Sequence, residues 1–329
     1  MQLKNVSLSI YSFGYAAGFI KDERPEAAAP VVTLENIGEF ALRYGLGGIE
    51  FPVDRYFPLQ SLGESGRFIK EVHRRGLSAA VDLETFEPNY IRGLLPVLAD
   101  NGIDFARIKM SGIYGGSRYA EPRFADLVDD FVAGLRELLP DLRHRGIRLL
   151  IENHQDLGSD DLIAVIGATC ARHIGITWDM GNSLAVIDTP EGFLHKAAGF
   201  IGNVHLKDYR LCRGQGGVRL VRCALGDGVV DFPRILPALK SLHGTIPMAI
   251  ELGAQKYRQA DVFKPEYWRA YPPQHVDKKA DFFSMLLEKA LPEDASLSPW
   301  ERGLPGQVII ESELDDLERS VAYLRRLDA

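Results

Sequence analysis

A glycine-terminated helical stretch followed by a short apolar strand with a polar last residue recurs along this chain. His73-Arg-Arg-Gly76 leads into Ser78-Ala-Ala-Val-Asp82, and Asp100-Asn-Gly102 into Phe105-Ala-Arg-Ile-Lys109. Arg143-His-Arg-Gly146 leads into Ile147-Arg-Leu-Leu-Ile-Glu152. Each glycine suits the left-handed turn that ends a helix. Earlier, Val6-Ser-Leu-Ser-Ile10 alternates like a strand. Residues 33–44 carry Leu34, Ile37, Phe40 and Ala41 at helical spacing with Thr33 as N-cap, before Gly48-Ile-Glu50. The second half continues with Ile174-Gly-Ile-Thr-Trp-Asp179, Ile201-Gly-Asn-Val-His205 running on to Lys207, and Ile246-Pro-Met-Ala-Ile-Glu251. Helices are predicted over 231–242 and 312–327. Eight strands separated by helices predict a parallel (β/α)₈ TIM barrel. An open doubly wound sheet is disfavoured, because no glycine-rich phosphate loop follows the first strand.

Length agrees: 329 residues accommodate a barrel of about 250 residues with insertions. The expected organisation is one barrel domain over 1–329. Residues 254–307, between the eighth strand and the last helix, form an insertion too long for an ordinary connection. The insertion is aromatic, with Tyr257, Phe263, Tyr267, Trp268, Tyr271, Phe282, Phe283 and Trp300, and is expected to contain a helix from about 274 to 291. Loops after barrel strands lie on the active-site face, so this segment reads as a lid, a pocket wall or an interface.

A formal net charge of −7 argues against a nucleic-acid partner but leaves room for a local basic patch. Cys170, Cys212 and Cys223 are too few and too scattered for a disulfide framework or a zinc spacing, and read as free thiols. No apolar run is long enough to span a bilayer, and the N-terminus lacks the pattern of a signal peptide. The expected location is cytoplasmic.

Barrel chemistry resides at the C-terminal ends of strands. There the fifth strand ends in Glu152-Asn-His154, the sixth in Asp179, the seventh carries His205-Leu-Lys207-Asp208, and the eighth ends in Glu251. Three carboxylates and an imidazole facing one another repel unless a cation joins them. Glu152, Asp179, His205 and Glu251 are therefore the expected ligands of one divalent ion. Oxygen-rich ligation with one histidine suits Mn²⁺ first, with Mg²⁺, Co²⁺ and Zn²⁺ as alternatives. His154, two residues after Glu152, points to the same face and is a candidate base. Lys207 is expected to hold a substrate oxygen or pair with a carboxylate, and Glu50 to bond substrate or backbone. Asp227, in Gly226-Asp-Gly228, reads as a turn residue, and Trp178 as packing.

The strings Ile151-Glu-Asn-His154, Trp178-Asp-Met-Gly-Asn182, Val204-His-Leu-Lys-Asp208, Leu225-Gly-Asp-Gly228 with Val230-Asp-Phe232, and Ile250-Glu251 resemble the xylose isomerase-like TIM-barrel superfamily. That superfamily includes ketose epimerases, sugar isomerases, dehydratases, endonuclease IV and 3-keto-sugar lyases. The resemblance implies the same four metal ligands. In the epimerase branch it also implies that Glu152 and Glu251 move protons on opposite sides of a keto-sugar. Asn182 stands where many epimerases carry a substrate-binding histidine, and is the corresponding substrate contact here. No histidine lies on the third and fourth strands, which argues against a three-metal phosphodiesterase.

Glutamate–any–histidine at the fifth strand end, together with the aromatic insertion, resembles the α subunit of bacterial C-glycoside deglycosidases. That branch implies a metal-dependent lyase on 3-keto-glycosides, with a small β subunit or self-association. The alternative is a ketose 3-epimerase or aldose–ketose isomerase. A non-catalytic sugar-binding barrel is a remoter third. All three readings predict a small-molecule sugar or glycoside as ligand, with no nucleic acid or membrane.

Overall fold

The computed structural model describes residues 2–243, 245–253, 255–271 and 276–328. Its strands, in chain order, are β1 (Val6–Ser9), β2 (Gly48–Pro52), β3 (Ser78–Asp82), β4 (Phe105–Ile108), β5 (Arg148–Glu152), β6 (Ile174–Asp179), β7 (Ile201–Leu206), β8 (Tyr209–Gly214), β9 (Gly217–Arg222), β10 (Met248–Ile250) and β11 (Arg258–Ala260). Eight of them close a barrel in the order β1-β10-β7-β6-β5-β4-β3-β2, every neighbouring pair parallel.

The helices are α1 (Ile37–Tyr44), α2 (Val53–Tyr56), α3 (Leu62–Arg74), α4 (Pro88–Asp100), α5 (Phe124–Arg145), α6 (Ser159–Gly167), α7 (Pro190–Ala197), α8 (Phe232–His243), α9 (Pro265–Arg269), α10 (Val276–Lys289) and α11 (Gly306–Asp328). Gly146 ends α5 at φ 68, in the left-handed region that costs a glycine least. The expected start of the first helix shifts: Asn36, not Thr33, is the N-cap of α1. The Asn36 side chain instead accepts from the Thr33 amide, closing a turn ahead of the helix.

Strand alternation divides the barrel into two environments. Leu149, Ile151, Ile176, Trp178, Val204 and Leu206 are buried in the main apolar cluster shared with the helices. Trp178 is stacked on Phe193 of α7 at 5.5 Å, and its Nε1 donates to Ser183 Oγ. The intervening positions carry Glu152, Thr177, Asp179, Asn203 and His205, all buried and all polar. One period-2 pattern thus supplies both the core and the inward polar ring.

Two features were not expected from sequence. Between β7 and α8 the chain forms the antiparallel hairpin β8–β9, which β11 extends to a three-stranded sheet. This sheet makes a second apolar cluster with Leu184, Leu211, Leu220, Tyr267, Tyr271 and Phe282. The aromatics of the insertion are thereby divided. Tyr267, Tyr271 and Phe282 are buried as packing, while Tyr257 and Phe263 are exposed. The insertion's helix is α10; positions 254 and 272–275 of the expected segment lie outside the described residues.

The motif after β7 is fixed by Asp208. Its Oδ1 accepts from the amides of Tyr209 and Val230, and its Oδ2 from those of Gly226 and Gly228. A Cβ at Gly228 would overlap Oδ1. Asp227 sits in this turn, its amide donating to the Ala224 carbonyl. Asp208→Asn replaces one doubly accepting oxygen with a donor. It is expected to lower unfolding stability by about 2–6 kcal/mol, two unsatisfied N–H groups at about 1–3 each. Urea unfolding checks this, and a loss under about 0.5 kcal/mol, as at an ordinary surface site, would contradict it.

Candidate metal centre and substrate pocket

Parallel register sets the side chains of the centre beside one another. Asp179 of β6 lies level with His205 of β7, and Glu152 of β5 with Thr177 of β6. Glu251 follows β10, whose Ala249 is level with His205. Ligand atoms of Glu152, Asp179, His205 and Glu251 all lie within 4.8 Å of one another, and all four residues are buried. His205 Nδ1 stands 3.0 Å from Glu251 Oε2, 3.9 Å from Glu152 Oε1 and 4.0 Å from Asp179 Oδ2. Its other nitrogen, Nε2, stands 2.9 Å from Glu50 Oε1. A carboxylate behind a histidine fixes ring orientation and raises ligand basicity.

The donor set fits a divalent cation. His205 Nδ1, Glu251 Oε2 and Glu152 Oε2 are buried without a hydrogen bond of acceptable geometry, their near neighbours being the ion-pair contacts between His205 and Glu251 and between Arg107 and Glu152. Burial pushes Asp179 up to about 6; Lys207 pulls it down, while Glu251 and Glu152 add to the rise. A bound cation would lower it further, as an opposite charge favours the ionised form.

Two cations already clamp the carboxylates. Lys207 Nζ donates to Asp179 Oδ2 and Glu251 Oε1, both at 2.6 Å. Burial penalises its ammonium, but Asp179 and Glu251 outweigh that and hold its pKa well above the usual lysine range. Arg107 pairs with Glu152 Oε2. Asn182 Nδ2 donates to Glu152 Oε1 at 3.0 Å, and the Asn182 amide to Asp179 Oδ1 at 2.8 Å.

A pocket of about 440 Å³ opens above this floor, lined by His154, Asn182, Lys207 and Glu251 together with Tyr11, Phe19, Tyr114 and Tyr209. Its volume falls in the range of about 300–1,000 Å³ typical for small-molecule sites. Tyr114 packs on the His154 ring with centroids 5.1 Å apart. His154 Nδ1 is buried without a hydrogen-bond partner. Burial, then Lys109, Arg107 and Lys207, hold its pKa well below the usual histidine range, so the imidazole is neutral. Gln155, next in sequence, takes the uncommon φ of 85. Its side chain accepts from the Gly115 amide and donates to Asn182 Oδ1, both at 2.8 Å, tying the β4 and β6 loops together.

The structure therefore brings His154, Lys207, Asn182 and the four expected ligands to one place. Glu50 is elsewhere: it lies behind His205 and does not line the pocket, because β2 aims it into the barrel below the ligands. The expectation that Glu50 bonds substrate is corrected to a contact with His205. The expectation that the insertion's aromatics wall the pocket is likewise corrected: among the described residues the insertion reaches it through Lys256 and Arg258 and through none of its aromatics. Sequence reasoning missed Arg107. Its signal was present in Phe105-Ala-Arg-Ile-Lys109, where two cations at alternate positions interrupt an apolar strand. Tyr11, Tyr114 and Tyr209 carried no such signal.

Residues 88–269 match the xylose isomerase-like TIM barrel family, and the chain belongs to it. The 3-oxo-isoapionate decarboxylase of Pectobacterium atrosepticum is 28% identical over 125 residues, 37% of this chain and 46% of that protein. The match thus spans less than half the length of that relative. Among solved structures, a D-psicose 3-epimerase superposes with a TM-score of 0.57 at 14% identity, covering 98% of this chain and 99% of that one. An L-ribulose 3-epimerase superposes with a TM-score of 0.54 at 18% identity, covering 97% of each chain. At these identities the structural likeness defines the fold. No helix among the described residues is long and apolar enough to cross a membrane.

Proposed function

We propose that this protein is a metal-dependent lyase that removes a proton next to the carbonyl of a keto-sugar and cleaves a carbon–carbon or carbon–oxygen bond, as on a 3-keto-glycoside. The observation that carries this reading is the contrast between His154 and the two glutamates. Glu152 is held by Arg107 and Asn182, and Glu251 by Lys207 and His205. Burial would raise the Glu251 pKa, but Lys207 and His205 outweigh it and hold the carboxyl well below the usual range, so Glu251 is a weak proton acceptor, while the oxygens of Glu152 are engaged by Arg107 and Asn182. His154 is neutral, faces the same pocket and has no ion partner among the described residues.

Glu152, Asp179, His205 and Glu251 would hold a divalent ion, which would supply Lewis-acid polarisation of a substrate carbonyl. Lys207 and Asn182 position substrate oxygens over that floor. His154 takes the proton from the carbon beside the carbonyl, and the C–H electron pair moves toward the carbonyl oxygen. When that pair returns, the bond from the next carbon to its substituent breaks. The substituent leaves with the bonding pair and is then protonated. Tyr11, Phe19 and Tyr114 offer apolar faces for a sugar ring or a flat leaving group. The decarboxylase relative, whose name denotes carbon–carbon cleavage, supports this direction.

A second reading, a ketose 3-epimerase or aldose–ketose isomerase, draws support from one observation. Glu152 and Glu251 come from β5 and β10, which bound the four-strand arc of the centre. They could therefore serve opposite faces of a bound ketose, returning the proton instead of expelling a group.

The experiment is turnover of 3-keto-glycosides and free ketoses in D₂O with Mn²⁺ present. Deuterium is expected on the carbon next to the carbonyl, with a released aglycone identified by mass. Conversion without any wash-in at partial turnover would overturn proton abstraction. Wash-in with only epimerised or isomerised product would move the assignment to the second reading.

A further inference from the structure

The mouth of the pocket is basic in a chain whose formal net charge is −7. Beyond the clamping Arg107 and Lys207, the same cavity is lined by Lys21, Arg55, Lys109, Lys256 and Arg258. These come from the segments after β1, β2, β4 and β10 and from β11, so separate loops bring cations to one opening. Only two acidic residues line it, and both are paired: Glu84 with Arg55 and Tyr11, Glu251 with Lys207. Lys21, Lys109, Lys256 and Arg258 have no carboxylate at ion-pair distance among the described residues. Lys109 and Arg258 are also half-buried, where an unpaired charge is most costly.

Arg258 is held in a defined pose. Its guanidinium lies 3.9 Å from the Tyr114 ring centroid, and Tyr114 in turn packs on His154. Stacking on the ring uses the guanidinium face and leaves its N–H edges available for a bidentate oxyanion. Lys109 and His154 both line the cavity. The anion-reading groups and the candidate base thus border the same space.

We propose that the substrate is an acidic sugar, whose oxyanion, a carboxylate or a phosphate, is held by Arg258 and Lys109 at the pocket mouth while its carbonyl end meets the metal centre. This assignment rests on the keto-sugar reading and specifies its substrate class. The cavity, at about 440 Å³, limits the anion to a small molecule, and the acidic chain disfavours a polyanion.

The test is calorimetric titration of the Mn²⁺-loaded protein with D-fructose, 5-keto-D-gluconate and D-fructose 6-phosphate, at low and raised salt. At least one anionic probe is expected to bind about tenfold or more tightly than D-fructose, the scale of one charge-assisted pair, with the advantage shrinking as salt rises. The probe preferred distinguishes carboxylate from phosphate. In the Arg258→Gln/Lys109→Gln double variant the ratio of anionic to neutral affinity should fall to about one, with thermal melting reporting the fold. Equal affinity for all three probes, or no binding of either anion, overturns the proposal. So does a preference that survives in the double variant, which would belong to the metal alone. Deuterium exchange on the same probes separates the two readings. Exchange into D-fructose without anion preference overturns the acidic-sugar assignment alone. Anion preference without exchange into any probe overturns proton abstraction alone.

Discussion

Replacing Glu152, Asp179, His205 or Glu251 by alanine is expected to strip the protein of its divalent ion and abolish turnover. Loss of a partner behind a metal ligand typically costs about 10–100-fold in metal affinity, and loss of a ligand itself should cost more. Chelation of the wild type should have the same effect, reversed by Mn²⁺ more fully than by Ca²⁺, which prefers more and longer oxygen contacts. The variants differ in what they leave behind. Glu152→Ala leaves Arg107 without its carboxylate, and Asp179→Ala removes one of the two carboxylates holding Lys207. A buried charge stripped of its partner destabilises by about 3–5 kcal/mol, so Glu152→Ala is expected to be the least stable of the four. Glu152→Gln and Asp179→Asn keep shape and hydrogen bonding, and separate metal loss from unfolding. Metal content by elemental analysis, beside thermal melting, reads the outcome. Full occupancy in two of the four alanine variants would dismiss the proposed ligand set.

The second large effect is at His154. Since it contributes no ligand atom to the four-residue group, His154→Ala should retain metal and fold yet lose about 10²–10⁴ in kcat, the weight of a positioned acid–base group. His154→Gln fills much of the same space and can hydrogen-bond, but cannot accept a proton at neutral pH. It should be nearly as poor. Under the epimerase reading Glu152 and Glu251 move the protons, and the glutamine variant should recover most of the rate. The comparison of kcat across wild type, alanine and glutamine, each at matched metal content, decides between them. Near-wild-type turnover by His154→Gln would remove it as the base.

Much of the centre was legible in the chain because strand periodicity is local. A strand that alternates apolar and inward residues, and ends in Glu152, Asp179 or Glu251, declares both its direction and its reactive end. His205 and Lys207 follow the same rule two residues apart. The hairpin β8–β9 was written in Gly214-Gln-Gly-Gly217 between apolar runs. That hairpin lies outside the barrel sheet, so the strand–helix repeat carries no sign of it.

By itself the sequence determined the barrel and its strand ends, and singled out the four residues here proposed to hold a cation. These follow from period-2 patterning and from glycine stops, which act over a few residues. Only the closed structure decided the rest. Placing Arg107 against Glu152, Glu50 behind His205, and Arg258 over Tyr114 depends on contacts between residues from 45 to 155 positions apart. Closure also divided the aromatic insertion, burying Tyr267 and Phe282 in a second core while leaving Lys256 and Arg258 at the pocket. No local pattern separates those fates, because a side chain's burial depends on which distant surface the fold brings against it.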